Sequence, residues 1–246
     1  MVEKVDPKPG TGAVTATGPS AAAPNAAQQG ACELLGAVAY GELAAFDRMA
    51  EDARLAPDLA DRVQMTRMAA VRFDHFRLVG ERIEQLGGQV LSAMDPYHRP
   101  FEEFHDLTRP KNWYEGLLKA YIGGGLAADF YREVSELVDA DTRDVVHLAL
   151  AEEVYADFVV DRVRAAIEAD PSIAGRLALW GRRLVGEAMS QAQRVAIDRP
   201  VLAALFAGPG AGSPQAAESP LVRISKLSTE LVQNHSARMT RLGLTA

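Results

Sequence analysis

Residues 65–86 read MTRMAAVRFDHFRLVGERIEQL, and their spacing decides the fold. Met65, Met68, Val79, Ile83 and Leu86 fall at helical spacing, the pattern of one helix face turned towards a core. Positions 72 and 75 continue that face, yet they hold Arg72 and His75. An arginine on a core seam is costly unless an opposite charge meets it there. This helix therefore carries polar chemistry into whatever it packs against, and other segments must supply the partners.

Upstream, a first helix over about 28–55 has the stripe Leu35, Val38, Glu42, Ala45 and Met49, which puts Glu42 on the seam. Pro57 and Asp58 open the second helix and Gly87–Gly88 close it, each suited to its end. Residues 89–110 mix Pro96, Pro100 and Pro110 with Tyr97, Phe101 and Phe104. That is too apolar for a free linker and predicts an ordered crossover with a short helix at 100–107, long enough to join two parallel-running helices.

A third helix is expected over 112–138, with stripe Leu117, Tyr121, Gly124, Ala128, Tyr131 and Val134. Its run Gly123–Gly125 costs about 1 kcal/mol per glycine relative to alanine, which points to a bulge, a close helix approach or a nearby ligand. A fourth helix over 142–168 has the stripe Val145, Leu148, Glu152, Tyr155, Val159 and Val163, again with an acid on the seam. Pro171 starts a fifth segment to about 206, with Leu177, Trp180, Leu184, Ala188 and Val195 inward. Residues 207–219 read as a Gly/Pro/Ser-rich linker. Residues 220–246 contain an amphipathic helix that either docks on the bundle or pairs with a second subunit. Residues 1–27, rich in Ala, Pro, Gly and Thr without apolar period, read as a disordered tail.

The 28–206 region thus reads as an all-α four-helix bundle with one long crossover and extra C-terminal helices. A net charge of −7 argues against a general polyanion binder. The single cysteine, Cys32, excludes an intramolecular disulfide framework and suits a reducing cytoplasm, the expected location. No run is long and apolar enough for a membrane span, so no membrane partner is expected.

Glu42, Arg72, His75, Gly124, Glu152 and Tyr155 share the seam. In a four-helix bundle, a di-iron carboxylate centre takes a Glu from two helices and Glu-x-x-His from the other two, because i and i+3 share a face. Four stretches carry a family likeness: Ala39–Phe46 (AYGELAAF), Met68–Phe76 (MAAVRFDHF), Tyr121–Phe130 (YIGGGLAADF) and Leu177–Glu187 (LALWGRRLVGE). They resemble the ferritin-like actinobacterial proteins related to the hydroxylase that acts on 2-methylthio-isopentenyl-adenosine in tRNA.

The resemblance implies a ferritin-like fold and places Glu42, His75 and Glu152 at metal-ligand positions. It also implies that Arg72 stands where a glutamate is expected, Gly124 where a third-helix carboxylate is expected, and Tyr155 where a histidine is expected. Arg72 is then expected to take over the metal's electrostatic role, pairing with Glu42 and Glu152 in a network with His75 and Tyr155. The alternative is an altered iron site, with one or two irons on Glu42, His75 and Glu152, with Asp129 or Glu187 as further ligands. A third possibility is a substrate pocket without metal. The function expected is a binding or interaction protein without cofactor; the alternative is a non-haem iron hydroxylase of tRNA or a small molecule. A homodimer through the bundle or the C-terminal helix would fit, and tRNA enters as a partner by analogy alone.

Overall fold

In the computed structural model, residues 25–150, 153–207 and 220–246 are described, and among them no β-strand occurs. The helices are α1 (Ala26–Asp52), α2 (Leu59–Gln85), α3 (Val90–Leu107), α4 (Trp113–Leu118), α5 (Gly124–Ser135), α6 (Ala140–Ala149), α7 (Glu153–Ala169), α8 (Ile173–Asp198), α9 (Pro200–Ala207) and α10 (Pro220–Arg241). A single π turn, Lys119–Gly123, joins α4 to α5.

Local chemistry sets these boundaries. Asn25 caps α1 in a reciprocal capping box with Gln28, so the helix starts slightly before the expected 28. Asp58, Asn112 and Asp139 cap α2, α4 and α6 through side-chain oxygens that accept from backbone N–H groups three residues on. Gly87, at φ 79°, ends α2, and the Gly88 N–H donates to the Ile83 carbonyl in a Schellman closure.

The crossover is more ordered than its sequence suggests. Instead of a short helix at 100–107, α3 runs through both Pro96 and Pro100. Proline removes ladder hydrogen bonds, so tertiary contacts must hold α3 together. Buried Met94 and Tyr97 face α1; the Tyr97 hydroxyl donates to Glu33 at 2.6 Å, and Glu102 accepts from Tyr40 and Arg48.

The fourth helix also differs from expectation. It is not continuous over 142–168: α6 stops at Ala149, and α7 starts at Glu153. Arg132 from α5 donates to the Leu150 carbonyl, which withdraws that acceptor from a helical ladder. The break also shifts the phase of the stripe. Leu148, expected inside, is 59% exposed, whereas Val146, Ala149 and Leu150 are buried. Beyond the break Val159 and Val163 are buried as expected. The fifth segment likewise breaks at Arg199, which is held out of the helical region before Pro200 and reaches Glu33.

The C-terminal helix docks within the chain. α10 packs against α5 and α8; its Leu231 and Met239, with Leu242 beyond it, are buried, and Arg238 makes a double hydrogen bond to Asp129 at 2.7 and 2.8 Å. Gly125 leaves room at this crossing for Arg238, because a Cβ there would force the Arg238 guanidinium to shift. The glycine run thus answers to both a π turn and a close helix approach.

Two apolar clusters form the core. One gathers Met49, Met65, Met68, Leu117, Val159 and Leu184; the other gathers Leu34, Leu35, Val38, Val79, Ile83 and Val134. Along α1 and α2 the two meet at the level of Glu42, Arg72 and His75. The bundle therefore has a polar waist between two apolar halves.

Candidate functional site

At the waist, Arg72 Nη1 lies 3.2 Å from Glu42 Oε1 and 3.5 Å from Oε2. The two side chains are 14% and 7% exposed, so this is a largely buried ion pair between α1 and α2. His75, one turn beyond Arg72, brings Nδ1 to 3.4 Å from Glu42 Oε2, without hydrogen-bond geometry. Tyr131 from α5 closes the waist, its phenol pushed well above its ordinary value by burial and then by the charge on Glu42. Arg72, His75 and Tyr155 line a small void of about 40 Å³ together with Met68, Tyr121 and Val159.

Of the expected seam residues, Glu42, Arg72, His75 and Tyr155 come together. Glu152 lies outside the described residues. Asp129 is turned away to α10, where Arg238 engages both carboxylate oxygens. Glu187 on α8 makes no ion pair among the described residues. Gly124 lines a second, much larger cavity.

That cavity, about 430 Å³, runs between α1, α3, α5, α8, α9 and α10 and also touches Glu42 and Arg72. Its volume falls in the range of roughly 300–1,000 Å³ usual for small-molecule sites. Most of the wall is apolar: Ala37, Val38, Ala45, Phe101, Ala127 and Leu202 among others. Its polar groups gather where α1 ends, at Arg48, Asp52, His105, Lys119 and Gln191. Burial pushes the Asp52 carboxyl up to about 6 against the opposing pull of Lys119, and lowers His105 to about 3 and Lys119 to about 8.

Sequence reading missed this end of the cavity. Asp52 continues the α1 stripe one turn past Met49, and that signal was available. Lys119 was not legible, because the π turn inserts a residue and rotates α4 against α5. His105 falls in the short helix expected at 100–107, but no spacing signal marks it as facing a cavity.

The two shifted groups act on stability with opposite signs. Asp52, raised from 3.8 to about 6, stabilises the fold below its unfolded value and loses that contribution as pH rises through 6. His105, depressed from 6.5 to about 3, stabilises above 6.5 and loses that contribution as pH falls towards 3. Between about pH 4 and 6 the two therefore oppose each other. His105→Gln should flatten the acid loss of stability, and Asp52→Asn should steepen it. Urea unfolding across that range measures both slopes; unchanged slopes in both variants would contradict the burial of this cluster.

A helical bundle with a polar waist and a side cavity belongs to a class that builds its sites in the core from facing helices. Within that class, a family model for a ferritin-like domain of actinomycetes matches residues 25–209, and the chain belongs to that family. No curated protein matches the chain. Among the described residues, no helix is long and apolar enough to cross a membrane.

Proposed function

We propose that this chain is a ferritin-like protein that works without a metal and serves as a binding protein for a small apolar molecule. The observation that carries this reading is the Arg72–Glu42 pair. The guanidinium puts a permanent positive charge on the carboxylate that would otherwise neutralise iron. Two multivalent cations need several anionic oxygens, and a fixed cation among the donors repels them. The described donors at the waist, Glu42 and His75, stand beside a permanent cation, which disfavours a di-iron centre there. The 430 Å³ cavity beside the waist supplies the binding space.

A second reading keeps an altered iron site and hydroxylase chemistry on tRNA or a small molecule. It is favoured by one observation, the His75 Nδ1 without a hydrogen-bond partner 3.4 Å from Glu42. The tRNA part rests on analogy, and the net charge of −7 weakens it. A homodimer also remains a proposal; α10 gives its apolar face to its own bundle.

Metal analysis of protein expressed with iron, together with its visible spectrum, decides between the readings. We expect no stoichiometric iron in the native chain. Iron uptake is expected to appear in the double variant Arg72→Glu, Tyr155→His if those positions alone block it. Two oxo-bridged irons per native chain would overturn the metal-free reading.

A further inference from the structure

We propose that the large cavity binds a long-chain carboxylate, with its head group on Lys119 and Gln191 and its alkyl chain along the apolar wall towards Ala37. This inference rests on the binding-protein reading and names its ligand.

The polar end of the cavity holds donors that the protein leaves without acceptors. Lys119 is 7% exposed, and its Nζ makes no hydrogen bond or ion pair among the described residues; it lies over the face of Phe104, 5.6 Å from the ring centroid. A buried ammonium in that state calls for an anion. Gln191 is 6% exposed, and neither its Nε2 nor its Oε1 has a partner. The buried Nδ1 of half-buried His105 likewise has no partner among the described residues. These groups share one level of the bundle. On α8, Arg183 reaches the Leu107 carbonyl and Arg194 reaches Glu103, which runs the stretch holding Gln191 alongside the end of α3 that carries His105, and both residues line the same cavity.

Arg48 is taken by Glu102 at 2.6 Å and by Glu51 at 3.4 Å. Asp52 also lines the cavity, and it makes no ion pair with Lys119 among the described residues. Their charges act on each other without closing into an ion pair, which leaves the Lys119 ammonium open to a ligand oxygen. A carboxylate offers two acceptors, one for the ammonium and one for the Gln191 amide.

The body of the cavity fits an alkyl chain. Along α1 it is lined from Ala37 to Asp52, sixteen residues separated by fifteen rises, or about 22 Å. Small side chains, Ala37, Gly41, Ala45, Ala127, Ala192 and Ala196, keep that length open, and Phe101 and Phe130 flank it. A compact aromatic ligand would leave most of this length empty. A long chain fills it.

The test uses the full chain and a fluorescent C18 polyene carboxylate, displaced by saturated fatty acids and by their methyl esters. We expect saturable one-to-one binding of the acid. Affinity should rise about fourfold per added methylene until the cavity is full. The ester should bind roughly tenfold more weakly or worse, since a charge-assisted hydrogen bond is lost. Lys119→Met and Gln191→Leu should each weaken the acid and leave the ester unchanged, while Ala192→Phe should weaken both. The acid–ester comparison needs no variant, so a misfolded Lys119→Met protein does not protect the proposal. Equal affinity for acid and ester would remove the carboxylate and leave the binding-protein reading in place. No saturable binding of either would remove both.

Discussion

Arg72→Leu should lower the free energy of unfolding by about 3–5 kcal/mol, the range for breaking one side of a buried ion pair. Glu42 is buried between α1 and α2, and without the guanidinium it would stay there as an uncompensated anion or take up a proton. The loss comes from the stranded charge rather than from the attraction itself. The double variant Glu42→Leu, Arg72→Leu should therefore recover most of the stability, because replacing a buried pair with apolar groups is often neutral. Denaturant midpoints for the two singles and the double form a cycle whose coupling energy isolates the pair. A single variant within about 1 kcal/mol of the parent would mean that water screens the pair and that the waist is not a buried site.

Gly36→Ala should also destabilise the protein strongly, even though alanine is favoured over glycine in a helix by about 1 kcal/mol. A Cβ at position 36 would overlap the Ala93 carbonyl oxygen and stand 2.7 Å from its carbon. That obstacle is backbone and cannot rotate away. Overpacking of this kind costs about 1–3 kcal/mol or more, which exceeds the propensity gain. α3 would have to leave α1 and carry Tyr97 and Glu102 away from Glu33 and Arg48. Gly186 in α8 serves as the control: nothing lies within 4 Å of its added Cβ, so Gly186→Ala should stabilise by roughly 0.5–1 kcal/mol. Thermal unfolding of both variants should show shifts of opposite sign; a stabilised Gly36→Ala protein would mean that the two helices are further apart than described.

Periodicity made most of the bundle legible. Met65, Met68, Val79 and Ile83 are buried as their spacing required, as are Leu35, Val38, Leu117 and Tyr131. Arg72 and Glu42 stood out because charge interrupted an apolar stripe, and the chain places them in contact. Legibility ended wherever a tertiary contact overrode a local rule. α3 persists through two prolines because Tyr97 and Glu102 anchor it. The expected fourth helix breaks because Arg132 takes the Leu150 carbonyl, and that break moved Leu148 to the surface. Asp129 looked like a spare acid until α10 delivered Arg238. The cavity was invisible for a different reason: empty space between six helices leaves no periodic mark, and Ala45 or Ala192 reads as ordinary small packing.

The polar waist also acts as a ruler. Apolar halves made of Leu, Val, Ile and Met are forgiving, and a helix can slide over its neighbour by one turn, about 5.4 Å, with its stripe still facing inward. Arg72 cannot make that slide. One turn in either direction would take its charge away from Glu42 and press it against Val38 and Ala39 or against Ala45 and Phe46 of α1. Two side chains thus fix the zero point from which every other position in the bundle is measured, including the depth at which Lys119 and Gln191 meet the cavity.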